Sequence, residues 1–257
     1  MKIFCISDPH LSFGTPNKKM DIFGPEWLNH PQKIASAWQN RVSSRDIVLI
    51  PGDISWAPKL EYAIPDLKWL DQLPGKKILI PGNHENWWTT SQKVRSILPQ
   101  SLQILDKDPL QIGAYLFFGV RLWDTSEYDC HDLIQWTTPD GKAPEMYQTK
   151  PNDAADKIYD NELRILKDIS VKVNNYSGIE KLTSIALTHY PPTNSQLNPS
   201  RATDLFEQIP SLKHVVFGHL HQLKKSNEPY FGSKNNIQYH LCSCDYLNFK
   251  PKLICGS

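Results

Sequence analysis

Five short apolar runs punctuate the chain: Ile3–Ile6, Ile47–Ile50, Ile78–Ile80, Ile185–Leu187 and Val215–Phe217. Runs this short, rich in β-branched residues, predict strands buried on both faces. Each run ends on polar residues of one kind. Asp8 and His10 come after the first, Gly52 and Asp53 after the second, and Gly82, Asn83, His84 and Glu85 after the third. His189 comes after the fourth, and Gly218, His219 and His221 after the fifth. In open α/β sheets, ligands collect just beyond the carboxyl ends of the strands. The glycines at 52, 82 and 218 stand where the backbone must turn sharply and where a side chain would block close approach to an ion or a phosphate.

Between the runs the periodicity changes. A polar loop from Leu11 to Asn29 leads into a helix from about Pro31, with Ile34, Ala35, Trp38 and Val42 on one stripe. Pro58 and Pro65 are each expected to start a helical piece, the two carrying Leu60, Ala63, Leu67 and Leu70. Ser91–Leu98 predicts a short helix, Leu102–Leu105 a strand, and Ile112–Val120 an apolar segment bent at Gly113. Arg121 to Asn152 shows no period; it has a turn signal at Pro139-Asp140-Gly141 and carries Trp123, Tyr128, Trp136 and Tyr147. It reads as a lobe or lid on a single domain spanning residues 1–257. Ala155, Ile158, Ile165, Leu166 and Ile169 predict a further helix, with Glu162 on the same face. Leu182–Leu187 and Val215–Phe217 are strands flanking a helix at Arg201–Gln208, and Pro229–Cys242 predicts a hairpin turned at Gly232–Asn236.

With 40% hydrophobic residues in 257, the chain can bury a sizeable core. Lys plus Arg total 28 against 27 Asp plus Glu, so a net charge of +1 provides no global field for nucleic acid or an anionic membrane. The start of the chain enters a strand directly, which predicts neither a signal peptide nor a membrane span and points to a cytoplasmic address. Five scattered cysteines, an odd number, predict free thiols in a reducing compartment rather than a disulfide framework. Nothing in the sequence specifies an oligomeric state.

A single histidine at a strand end is ordinarily a hydrogen-bonded structural residue. Five strands ending on ligand-type side chains instead predict a metal centre. Aspartate, histidine and asparagine without thiolate favour Mn²⁺, with Fe, Zn²⁺ or Co²⁺ as other ions that suit the set. Asp8, His10, Asp53, Asn83, His189, His219 and His221 are more than one tetrahedral site needs. They suffice for two ions about 3.5–4 Å apart that share one carboxylate. Asp53 is the natural bridge.

Asp8-Pro9-His10, Gly52-Asp53, Gly82-Asn83-His84-Glu85, His189 and Gly218-His219-Leu220-His221 resemble the five blocks of the calcineurin-like metallophosphoesterase superfamily. Asp53-Ile54-Ser55-Trp56-Ala57 and His189-Tyr190-Pro191-Pro192 are similar to its bacterial branch of predicted phosphohydrolases. The resemblance implies a four-layer α/β/β/α sandwich with two mixed β-sheets. It implies that Asp8, His10, Asp53 and His221 hold one metal, and Asp53, Asn83, His189 and His219 the other. His84 is then catalytic, stabilising charge or protonating the leaving oxygen while a hydroxide generated at the metals attacks phosphorus in line.

Two positions depart from relatives. Where the protein Ser/Thr phosphatases carry a second aspartate that orients the catalytic imidazole, this chain has Trp56, which speaks against a phosphoprotein substrate. Glu85 replaces a commoner aspartate and is assigned no direct role. His240, Cys242 and Cys244 alternate as on one strand and, with Cys255, could bind zinc; a buried structural strand is expected instead. Trp56, Trp87 and Trp88, with the Arg121–Asn152 segment, are expected to border an aromatic mouth, and Arg121 to reach a phosphate or form a surface ion pair. The expected activity is hydrolysis of a small phosphomonoester or nucleotide-type phosphodiester. The alternatives are a nuclease or phospholipid-headgroup phosphodiesterase with the same site, or a non-catalytic metal-binding scaffold.

Overall fold

All five apolar runs form strands in the computed structural model, which describes residues 1–136 and 153–256. They divide between two units, Met1–Asp106 with Cys242–Ser257, and Lys107–Leu241.

The first unit holds β1 (Lys2–Cys5), β2 (Ile47–Pro51), β3 (Lys76–Ile80) and β4 (Leu102–Ile104), parallel to one another in that order. An unexpected strand, β11 (Lys252–Gly256), adds to the outer edge of β1 in the antiparallel sense, with Cys255 opposite Ile3, and makes the sheet mixed. Its apolar run Leu253-Ile254-Cys255 is as short as Ile78–Ile80, but no ligand-type residue follows to single it out in the sequence. Helix α1 (His30–Gln39) buries Ile34 and Trp38, as the stripe predicts, in the same apolar cluster as Val48, Ile50 and Leu79. Helix α2 (Leu60–Gln72) corrects the expectation of two pieces, since it is one helix with Pro65 inside. An interior proline costs about 3 kcal/mol. Ala63, Leu67 and Leu70 lie on both sides of Pro65 and are at most 1% exposed. Burial of leucines, at roughly 1.5–3 kcal/mol each, offsets the lost hydrogen bond. Helix α3 (Ser91–Arg95) starts on Thr90, whose side chain accepts from the Lys93 amide.

The second unit contains a mixed sheet ordered β5-β6-β7-β8-β10-β9. Its strands are β5 (Leu110–Ile112), β6 (Tyr115–Val120), β7 (Thr183–Thr188), β8 (Leu212–Phe217), β9 (Ser233–Lys234) and β10 (Ile237–Leu241). The inner four are parallel, and β5 and β9 close the edges in the antiparallel sense. Gly113, at φ 60°, makes the β5–β6 turn, as expected of the bend there. The expected helix is α4 (Asp153–Asn174), but its buried face is rotated from the expected stripe. Tyr159, Leu163, Leu166, Ile169 and Val173 are buried while Ile158 is exposed, because the larger Tyr159 takes the inward position. Helix α5 (Arg201–Glu207) starts on a capping box between Ser200 and Thr203.

Strand β10 ends at Leu241, so His240 does not share a strand with Cys242 and Cys244. The two cysteines flank Ser7 instead, through Ser7 N–H to Cys242 O at 2.7 Å and Cys244 N–H to Ser7 O at 2.9 Å. All five cysteines are free thiols. The turn expected at Pro139-Asp140-Gly141 and Tyr147 lie outside the described residues. Among the described residues no helix is long and apolar enough to cross a membrane.

Candidate metal centre

Past the ends of β1 and β2 the parallel ladder continues into the loops. The Asp8 amide donates to Gly52 O at 3.1 Å, His10 to Asp53 O at 3.0 Å, and Leu11 to Ile54 O at 2.9 Å. This pairing brings Asp8 and Asp53 side by side. Asp8, His10 and Asp53 are at most 2% exposed. A carboxylate oxygen of Asp8 lies within 4.8 Å of a ring nitrogen of His10 and of a carboxylate oxygen of Asp53. His10 Nε2 is 3.7 Å from Asp53 Oδ2. Two buried carboxylates so close repel one another, and a dication is the group that reverses the sign of that interaction. The donor set therefore fits a divalent metal.

The backbone strain of this placement falls on these candidate ligands themselves. Asp8, His10 and Asp53 stand at φ 57°, 44° and 50°, the left-handed region that non-glycine residues seldom occupy. Of the three strand-exit glycines only Gly52, at φ 98°, uses the conformational freedom expected of it. After β3, the His84 amide donates to Asp53 Oδ1 at 2.9 Å, and its Nε2 lies 3.9 Å from Asp53 Oδ2. The His84 side chain is 37% exposed, which suits a group that meets substrate. Asn83 beside it is half-buried.

In the second unit, β7 and β8 are adjacent and deliver imidazoles. His189 is fully buried, and its ring stands 5.1 Å from that of His219, edge to face. The Arg121 carbonyl accepts from both the His189 and Tyr190 amides, at 3.1 and 3.0 Å, and Gly218 N–H donates to His189 O at 3.1 Å. His219 has φ 69° and lies 3.9 Å, centre to centre, from the Tyr190 ring. Tyr190 is backed by Trp123 at 4.9 Å, and Trp123 by the Arg121 guanidinium at 4.5 Å. His221 is half-buried on the same loop as His219. Neighbouring imidazoles of this kind suit Mn²⁺, Fe or Zn²⁺.

Residues 1–223 match the calcineurin-like phosphoesterase family. The chain belongs to that family. It is similar in fold to the phosphopantetheinyl hydrolase of Mycobacterium tuberculosis, with a TM-score of 0.56 and 11% identity over 100% of this chain and 96% of that one. A protein of unknown function from Aquifex aeolicus aligns over 98% of this chain and 95% of its own, with a TM-score of 0.47 and 15% identity. The Gene 66 protein of Mycobacterium phage D29 is 34% identical over 83 residues, 32% of this chain. That match covers 40% of the phage protein's length. Two mixed sheets flanked by helices are the α/β class expected from the motifs.

In this calcineurin-like phosphoesterase, the residue that the motifs leave without a role is Glu85. Its carboxylate is buried and accepts four backbone amides: Gly82 at 2.6 Å, Ile54 at 2.7 Å, Asp53 at 2.8 Å and Ser55 at 3.2 Å. It ties the loop carrying His84 to the loop carrying Asp53. Burial and then the Asp53 charge push its pKa up to about 8, against the amides that favour the anion. The sequence signal was an acid with no Lys or Arg from Ile78 to Gln92 to pair with it. Asp66 on α2 is a second brace that the motifs do not show. It accepts from the Ser55 hydroxyl and from Phe13 N–H at 2.7 Å, and burial raises its pKa to about 6. The Cys244 thiol donates to the Asp8 carbonyl at 3.0 Å.

One expectation about the mouth is corrected, and one open alternative is decided. Trp87 is fully buried in the first unit's core, where the largest apolar side chain gains most from burial, so it borders no opening. Arg121 takes the ion-pair alternative: its guanidinium is 3.5 Å from Glu162, and its amide donates to the same carboxylate at 3.1 Å.

Proposed function

We propose that this phosphoesterase hydrolyses a small phosphomonoester or nucleotide-type phosphodiester with two divalent ions bound. The observation that carries the reading is the buried cluster of Asp8, His10 and Asp53, held at left-handed backbone angles. In the assignment, Asp8, His10, Asp53 and His221 serve one ion, and Asp53, Asn83, His189 and His219 the other. Mn²⁺ is the ion proposed, since the donors are oxygen and imidazole. When bound, the ions supply Lewis acidity to the phosphoryl group and activate water.

The chain's own residues do the rest. Asp53 would hold both ions through its carboxylate, and it is fixed in register by the His84 amide and by Glu85. His84 holds a proton at its imidazole for the leaving oxygen, or donates a hydrogen bond to an equatorial phosphoryl oxygen. Asn83 adds a neutral oxygen donor and so limits the negative charge of the set.

A small substrate is favoured because a net charge of +1 suits a polyanionic strand poorly, whose affinity comes from many phosphate contacts. With Trp87 in the core and the Trp56 ring against His10 and His84, a nucleoside platform rests on the half-buried Trp88. The cytoplasmic setting and the single domain with a lobe at 121–152 belong to the same proposal. The free thiols support the first, and the family match through residue 223 supports one domain.

The headgroup-phosphodiesterase reading gains one observation of its own. In the segment after Lys18-Lys19, Ile22 is 78% exposed, Leu28 55% and Phe23 44%, a composition that suits an anionic lipid surface.

Turnover of para-nitrophenyl phosphate and its bis-ester with Mn²⁺, Fe²⁺, Zn²⁺ or Co²⁺, beside mononucleotides, long DNA and RNA, and phospholipid vesicles, tests the readings together. The proposal expects the highest kcat/KM on a small soluble ester with Mn²⁺. A tenfold preference for long nucleic acid or for vesicles would overturn it, as would no turnover with any ion.

A further inference from the structure

We propose that Trp56 is a positioning residue for His84, holding the imidazole in one orientation beside the Asp53 carboxylate. The proposal rests on the catalytic role proposed for His84. Trp56 stands three residues after Asp53, and the centre of its ring is 4.2 Å from that of His84, tilted by 53°. The same indole stacks on His10 at 5.0 Å and 22°. One side chain thus contacts both a ligand imidazole and the catalytic one.

The indole is itself anchored. Its backbone N–H donates to Leu11 O at 2.9 Å, its Nε1–H to Met20 Sδ at 2.8 Å, and its carbonyl accepts from Lys18 Nζ at 3.2 Å. The Lys18 ammonium also lies 5.6 Å from the ring centre. His84, by contrast, is on a loop with its side chain 37% exposed. An imidazole in that position has several staggered orientations open to it, and contact with an anchored ring removes most of them. His10, 5.6 Å away and edge to face, packs on the same imidazole. A reacting group misplaced by about 1 Å loses roughly 10²-fold in rate. The effect of losing Trp56 therefore falls on kcat, because the indole is assigned no contact with substrate.

A purely structural role for Trp56 would change stability and leave this split unmoved. The experiment is a double-mutant cycle with Mn²⁺ and para-nitrophenyl phosphate, using Trp56→Ala, Trp56→Phe, His84→Ala and the double variant Trp56→Ala/His84→Ala. Trp56→Ala is expected to lower kcat about 10- to 100-fold with KM within about threefold, and Trp56→Phe to recover most of that loss. The double variant should be no slower than His84→Ala alone, since Trp56 acts through the imidazole. In the NMR spectrum, the His84 ring protons should lose an upfield ring-current shift in Trp56→Ala and keep it in Trp56→Phe. Trp56→Leu, which keeps most of the apolar volume, replaces Trp56→Ala if that variant does not fold.

Independent, multiplying losses in the double variant would overturn the proposal, and so would an unchanged kcat in Trp56→Ala while His84→Ala is impaired. Near-full activity in His84→Ala would instead overturn the reading of His84, and the proposal with it.

Discussion

In the first unit the ligand loops are held by a carboxylate: Glu85 gathers amides from Gly82, Asp53, Ile54 and Ser55, and Asp66 holds Ser55 and Phe13 from the other side. In the second unit the corresponding loops are held by rings and one ion pair, from His219 through Tyr190 and Trp123 to Arg121 and Glu162. The difference tracks the charge of the groups being presented. Asp8 and Asp53 are buried acids with left-handed backbone, and keeping two anions side by side needs directional bonds that fix the loops. His189 and His219 can be neutral when they meet a metal, and an uncharged ring is content with packing. A site can thus be rigid in two ways, and the two should fail differently.

The largest expected effect concerns the charge itself. Asp53→Asn should lose turnover to background and lose Mn²⁺ affinity in calorimetric titration, because a neutral amide cannot bridge two dications. Retained activity would break the assignment of Asp53. Next, His84→Ala should fold, bind Mn²⁺ as tightly as the parent and lose about 10²–10⁴-fold in kcat. Loss of metal instead would make His84 a ligand.

The third prediction sets the two braces against each other by urea unfolding. Glu85→Ala strands four buried amides and should lower stability by about 3 kcal/mol or more, at roughly 1–3 kcal/mol for each donor left without a partner. Glu162→Ala, which removes the acceptor of the Arg121 and Leu122 amides and one ion-pair partner at 3.5 Å, should lose less, about 2 kcal/mol. Equal losses would erase the distinction between the units.

The smallest effect is a pH dependence carried by Asp66. Burial raises its pKa to about 6 from an ordinary 3.8, so the folded state binds this proton more tightly than the unfolded chain does. The stabilisation is fully present below about pH 4 and is lost as pH rises through about 6, on the order of 2 kcal/mol. Asp66→Asn should lack that slope between pH 4 and 7. A wild-type and variant difference that stays flat over this window would mean the carboxyl is better solvated than its contacts imply.

The core strands and the kinds of polar side chain that follow them were legible in the sequence, since β-branched runs of three or four residues and the polar residues ending them are local patterns. Glu85 was visible as a residue and not as a role. Its four partners lie in two loops about thirty residues apart, and only the parallel pairing of β2 with β3 brings those loops together. The same holds for Trp56: a tryptophan three positions after Asp53 is plain in the sequence, but its contacts with His10 and His84 depend on where three loops meet. Pro65 inside α2 shows burial outweighing a local breaker.

By itself, then, the order of residues determined that the five apolar runs form strands and which side chains end them, because apolar runs and strand exits are set by near neighbours. The tertiary structure alone decided which side of α4 is buried, that Trp87 belongs to the core, that Arg121 is engaged by Glu162, and that strain falls on Asp8, His10 and Asp53 rather than on Gly82 and Gly218. Each of those outcomes is a competition between distant groups for the same space or the same charge. Such a competition is settled by packing and desolvation, which the local pattern of the chain does not contain.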